Sequence, residues 1–274
     1  MEKNYGSENI RALRSTAKAL YDIRNPQIAE DGEDIVERAG NKKFKLDAEN
    51  RVVALKNFGK IKKGDIGGFI QFEANLSHDG NCWVYDDAQV YGKARVYGDA
   101  KVFGKAEVLG NAQVYDKAEV GEDAELSENA KVYGNAKVHG ECTVKGNAEV
   151  TGNATVSDKT ALAEYAKVYD KAQVVGKAKV YGTAEVFENA KLTDHAWIYQ
   201  NARVYGKAKV YGDTSVIGNA KVSGNAKVFG SAEVSGNAEV SGNAWVSGKV
   251  KVSGTVRVAG TGSMKGNIEL SADA

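Results

Sequence analysis

The chain is poor in the residues that punctuate, cross-link or catalyse. Its 274 residues include one proline, two cysteines, three histidines and two methionines. Two cysteines cannot build a disulfide framework, and Cys82 and Cys142 are separated by 60 residues. No apolar run approaches the roughly 20 residues of a membrane-spanning helix. The opening MEKNYGSENIRALR lacks the apolar core of a signal peptide, so a cytoplasmic protein is expected. Charge is also nearly absent in net terms, at +1. That excludes a polyanion mimic and disfavours nucleic acid as a partner. No phosphate loop, nucleophile elbow or CxxC pair is present.

What the chain has instead is a period. From Val84 to Leu270 an aliphatic residue (Met264 once) occupies every sixth position, 32 times without a slip. Calling that residue i, position i−2 is small, with Ala in 24 of the 32 repeats, and position i+2 is Gly in 21. Residues two apart on an extended strand share a face. Ala and Val therefore point inward, and the Lys, Glu or Arg between them points out. The Gly-Asn or Gly-Lys step suits a corner, because Gly and Asn take positive φ at little cost. A helix is excluded, since a turn residue every six positions breaks any 3.6-residue stripe.

Each six-residue unit gives a strand and a bend, and three units close a triangular coil. The architecture expected is all-β: a triangular parallel β-helix with a small N-terminal α+β module. At ~4.8 Å per coil it would run roughly 50 Å. Each buried Val contributes on the order of 1.5–3 kcal/mol, yet no single coil can offset its own chain entropy, so stability lies in neighbour stacking. Both cysteines fall at the small inward position, more than three coils apart. At ~16 Å of axial separation they cannot pair and read as buried fillers.

The front end is not periodic. Residues 7–24 read as an amphipathic helix capped by Ser7 and stopped at Asn25-Pro26, with a shorter helix around Gly32–Ala39. KKFKLD and RVVALKNF alternate enough to predict a hairpin across Asp47–Asn50. The domains expected are an N-terminal module over 1–63, a lead-in segment over 64–83 and the repeat region over 84–274. Within 42–63, Lys42, Lys43, Lys45, Arg51, Lys56, Lys60, Lys62 and Lys63 face only two acids. This basic patch reads as a solvated surface or as a surface for an acidic partner or nucleic acid. Phe44 and Phe58 are assigned to the core, which leaves base stacking poorly supported.

The repeat resembles the hexapeptide-repeat family of left-handed parallel β-helices, and the resemblance covers about two-thirds of the chain. Left-handedness is what that resemblance implies. Here Gly has moved from the family's usual i+1 position to i+2, and Gly121 alone stands at i+1. The phrase Gly64-Asp65-Ile66-Gly67-Gly68-Phe69, followed by Asn81, Cys82, Trp83 and Val84, is similar to the lead-in of YdcK-like proteins of bacteria, phages and prophages. Its glycines read as a tight entrance of the chain into the coil, with phosphate cradling as the alternative. The resemblance also implies that a relative could be an acyltransferase with a histidine base and a site enclosed between subunits. Against this, His78, His139 and His195 are scattered, and no loop interrupts the coils beyond Val84. A zinc site needs converging ligands, which that spacing does not supply. No metal, cofactor or catalytic residue is assigned.

Sorting outward residues by coil gives one column apart from the rest. Tyr97, Tyr115, Tyr133, Thr151, Tyr169, Phe187 and Tyr205 recur every 18 residues on one side, and the column ends at Ser223. Beside it Lys131, Glu149, Lys167, Glu185 and Arg203 alternate in sign. Such a ladder either supports the strands or marks a partner or oligomer face. Lys191, Lys209 and Lys227 form a repulsive column that suits an anionic neighbour. Outward Thr is sporadic, which excludes an ice-binding array. The leading expectation is a rigid, non-enzymatic scaffold, plausible for a phage or prophage gene product. It would homo-oligomerise and bind protein partners through its N-terminal module and one flat side, in a bacterial cytoplasm or that of a phage's host. A between-subunit acyltransferase and a phage inhibitor of a host defence protein are the alternatives.

Overall fold

A computed structural model describes residues 42–272. The expected helices over 7–24 and 32–39 lie outside the described residues. The described chain is an all-β parallel solenoid of about 11 turns. A single 3-10 turn, Glu73–Asn75, is the only helical element among the described residues. Strands of mostly two residues repeat around three sheets of 14, 11 and 10 strands. From Trp83 onward the register is 18 residues: Val96 pairs with Val114, Val132 with Val150, and Val120 with Val138. Three six-residue units therefore close one coil.

The inward assignment follows the pattern. Val, Leu or Ile at i and Ala at i−2 are almost all inaccessible from Val84 to Val252. The strand residues donate to the next coil, as in Arg95 N–H to Ala112 O (2.9 Å) and Tyr97 N–H to Val114 O (3.1 Å). Position i+2 has positive φ in every repeat from Asp86 to Gly266, including all ten repeats that lack Gly. Five of those ten carry Asp, and each Asp uses its side chain in one way. Asp86, Asp116, Asp158, Asp170 and Asp194 each accept a hydrogen bond from the backbone N–H of the i+2 residue one coil on, at 2.9–3.1 Å. A short carboxylate offsets the left-handed backbone with a charge-assisted bond. Asn side chains at i+3 add a second series, Asn111 to Asn129 to Asn147 at 3.0 and 3.2 Å.

Three longer strands precede the coils: β1 (Phe44–Leu46), β2 (Arg51–Ala54) and β3 (Ile66–Ile70). β1 and β2 are antiparallel across the turn at Asp47–Asn50, where the Asp47 carboxylate accepts from the N–H of Glu49 and of Arg51, both at 2.9 Å. β2 pairs antiparallel with β3, and β3 pairs parallel with Gln89–Val90. The hairpin thus extends one sheet of the solenoid. Gly67 and Gly68 make this possible: a Cβ on either would lie 2.3 Å from Val84 O or 2.5 Å from Ala88 O. That space belongs to the coil backbone, which leaves those two glycines no room to cradle a phosphate.

Candidate functional site

The ring column on the Val96 side is brought together, but as two stacks. Tyr97, Tyr115 and Tyr133 have centroids 4.8 Å apart and planes within 3°. Tyr169, Phe187 and Tyr205 repeat this at 4.9 Å within 4°. Thr151 stands between them. All six rings are half-buried because each covers its neighbour. Their polar tips are also engaged: the hydroxyls of Tyr97, Tyr133 and Tyr169 donate to Gln113 (3.1 Å), Glu149 (3.4 Å) and Glu185 (3.4 Å). Arg203 bonds Glu185 at 3.0 Å and lies 5.0 Å over the Phe187 ring. The partner of each hydroxyl is the outward strand residue 16 positions on. The acids of the alternating column, Glu149 and Glu185, are thus part of the ladder's hydrogen bonding.

Burial pushes the Tyr115 phenol up to about 12 from an ordinary 10.0, helped by the neighbouring Tyr133 and Tyr97. A phenol whose folded pKa is raised stabilises the fold fully below its unfolded pKa, and that stability is lost as pH rises through the folded value. The ladder should therefore weaken between about pH 10 and 12. An ultraviolet phenolate titration of wild type and Tyr115→Phe checks this. The variant should lose the latest-titrating phenol and show a smaller loss of stability across that window.

Among the described residues six large hydrophobic side chains are exposed. Of these, Trp197 and Tyr199 flank Ile198 on the side carrying Leu162, Val180 and Ile198, and Tyr165 stands at the turn that leaves Leu162, two coils before. Lys179 approaches the Trp197 ring at 5.6 Å, and half-buried Tyr181 and Ile217 continue the i+1 column there. The sequence hid this cluster because its members occupy three different repeat positions.

The basic patch needs a correction. Lys45, Lys56, Lys60, Lys62 and Lys63 are exposed and Lys42 is half-buried. Lys43, however, is 1 % exposed. Its ammonium reaches the carbonyl oxygens of Cys82 (3.0 Å), Gly80 (3.3 Å) and Asp79 (3.5 Å), and the Cys82 Sγ at 3.2 Å. Those carbonyls belong to the irregular stretch between Leu76 and Val84, which is two residues longer than a repeat. They find no strand partner there, and Lys43 supplies the donor. Burial lowers the Lys43 pKa and raises that of the Cys82 thiol; their mutual attraction opposes both shifts. Arg51 is likewise structural: it bonds Gly67 O, Asp86 O and the Asp87 carboxylate at 2.8–3.2 Å and lies 4.3 Å over Phe69.

The histidines do not meet. His78 is held at the lead-in: Nδ1 accepts from Lys43 N–H at 3.1 Å, Nε2 lies 2.7 Å from Glu73 Oε1, and the ring stacks on Phe44 at 4.2 Å. The network assigns the proton to Nε2. His195 lies 3.4 Å from Asp213, and the His139 carbonyl accepts from Cys142 Sγ at 3.1 Å. Burial pushes the Cys142 thiol up to about 12, which leaves it protonated and unreactive at neutral pH. Among the described residues no three His, Cys, Asp or Glu side chains converge to hold a metal ion. No helix among them is long and apolar enough to cross a membrane.

Lys191, Lys209 and Lys227 do fall into register, and Lys227 lies 4.3 Å over the Trp245 ring. Earlier on the same side, Glu119 sits between Lys101 (2.9 Å) and Lys137 (3.3 Å). Gly121 has a local cause: the Phe103 ring lies where its Cβ would be, at 2.1 Å. In comparisons with known proteins, no family model and no curated sequence matches the chain.

Proposed function

We propose that this chain is a non-enzymatic, rigid scaffold that binds protein partners through an outer side of its solenoid. The observation that carries this reading is Trp197 and Tyr199, exposed by 47 and 38 % on either side of Ile198, with Tyr165 exposed by 59 % at a turn two coils before. Side chains held in a stacked backbone lose little entropy on binding, and Trp and Tyr are frequent interface anchors. Exposed apolar area of this kind marks an interaction surface. The finer reading rests on the sequence. The repeat and the Gly-Asp-Ile-Gly-Gly-Phe phrase support a YdcK-like, left-handed hexapeptide protein of phage or prophage origin. It would be a cytoplasmic homo-oligomer, with the exposed lysines near the hairpin as a second contact region.

The test compares two folded variants. Trp197→Ser/Tyr199→Ser should weaken self-association or partner capture by roughly 30-fold, the loss expected for an anchor worth about 2 kcal/mol. Tyr115→Ser/Tyr133→Ser/Tyr169→Ser should chiefly lower the melting temperature, because those rings are occupied with one another. Sedimentation and co-purification from the native host, each beside a melting curve, distinguish the two. Binding that survives the Trp197/Tyr199 change and vanishes in the triple variant would return the partner face to the ladder. Binding intact in both would refute a solenoid-side interface.

A further inference from the structure

The gap at Thr151 has the dimensions of the ladder that it interrupts. Tyr133 ends one stack and Tyr169 begins the next, each with a ring plane nearly parallel to its neighbour's. They are two coils apart, so the space between them is about twice the 4.8 Å ring spacing. A flat ring entering there would meet both neighbours as Tyr115 meets Tyr97 and Tyr133. Thr151 is half-buried there, and its short side chain carries no ring and hydrogen-bonds the Tyr133 phenol.

The surroundings select among flat rings. The hydroxyls of Tyr97, Tyr133 and Tyr169 donate to the outward residue 16 positions on, Gln113, Glu149 and Glu185; for Tyr115 and Tyr205 that place holds Lys131 and Lys221. The residue in that place for position 151 is Lys167, which is exposed. Glu149 is the adjacent acid, in register with Lys131 and Lys167 and engaged by the Tyr133 hydroxyl. A ring inserted at position 151 would therefore direct its far end to Lys167, a cation between Glu149 and Glu185 in the strand register. We propose that the gap at Thr151 is a binding slot for a small planar aromatic anion, sandwiched between Tyr133 and Tyr169 with its carboxylate on Lys167. Stacking on two faces supplies attraction, and the charge-assisted bond to Lys167 fixes orientation. This site is independent of the partner surface proposed above, since it lies on another side of the coil and needs no second protein.

The probes are 2-naphthoate and its neutral isostere naphthalene-2-carboxamide, titrated into the full chain by calorimetry and by saturation-transfer NMR. Wild type should bind 2-naphthoate saturably at one site, and the carboxamide about tenfold more weakly, the loss of one charge-assisted bond. Thr151→Tyr supplies the missing ring from the chain itself. It should abolish binding while melting at or above the wild-type temperature. Lys167→Gln should keep ring binding but erase the preference for carboxylate over carboxamide. The proposal is overturned if wild type shows no saturable binding, if folded Thr151→Tyr binds as wild type does, or if Lys167→Gln retains the preference. Partner capture that is lost in Trp197→Ser/Tyr199→Ser but unaffected by 2-naphthoate would keep the two sites separate.

Discussion

Ala136→Asp should cut the solenoid in two. Ala136 is fully inaccessible at the small inward position, among apolar side chains that offer a carboxylate no partner. Burying that charge costs about 4 kcal/mol or more, in the range of the most damaging single substitutions. In a stack where each coil rests only on its neighbours, a central defect removes support in both directions. Hydrogen exchange should show lost protection spreading from the defect, and the melting transition should broaden or split. Lys137→Asp is the adjacent control. Its side chain points out and pairs with Glu119 at 3.3 Å, so exchanging attraction for repulsion costs about 1 kcal/mol at most in a solvent-screened position. Equal effects of the two changes would refute the inward and outward assignment.

Lys43→Met should produce the second large effect, and at one end. The substitution keeps much of the side-chain volume but removes the donor that satisfies the Cys82, Gly80 and Asp79 carbonyls. Leaving buried acceptors unpaired costs about 3 kcal/mol. Because this stretch covers the first coils, the loss should appear as fraying there. Exchange should accelerate for amides such as Trp83 and Tyr85, whose bonds run to Ala100 and Val102, and remain slow near Val138. A Lys45→Met variant, which changes an exposed lysine of the same hairpin, should leave both regions unchanged. Uniform acceleration along the whole solenoid, or no change near Trp83, would show that Lys43 does not secure this end.

The sequence by itself determined the solenoid, its 18-residue register and its core. A residue whose position in a strict period fixes its direction needs no tertiary information to be placed. That holds for Ala136, Val138 and the column from Tyr97 to Tyr205. It also supplied the hairpin turn, where Asp47 and Asn50 carry a local signal. Tertiary structure decided what depended on gaps and meetings between periods. Lys43 looked like one more surface cation because its partners lie 36–39 residues downstream in a segment without periodicity. Asp116 and its counterparts stand where most repeats have Gly, and only the stacked coils reveal the amide each carboxylate accepts from. Tyr165, Trp197 and Tyr199 belong to different repeat positions, and only the burial in the folded chain shows that all three are exposed. Thr151 was a missing member of a list; in three dimensions it is a space between two parallel rings with a lysine at its far end. A period fixes direction, but burial, pairing and empty space arise only when separate turns of the chain come into contact.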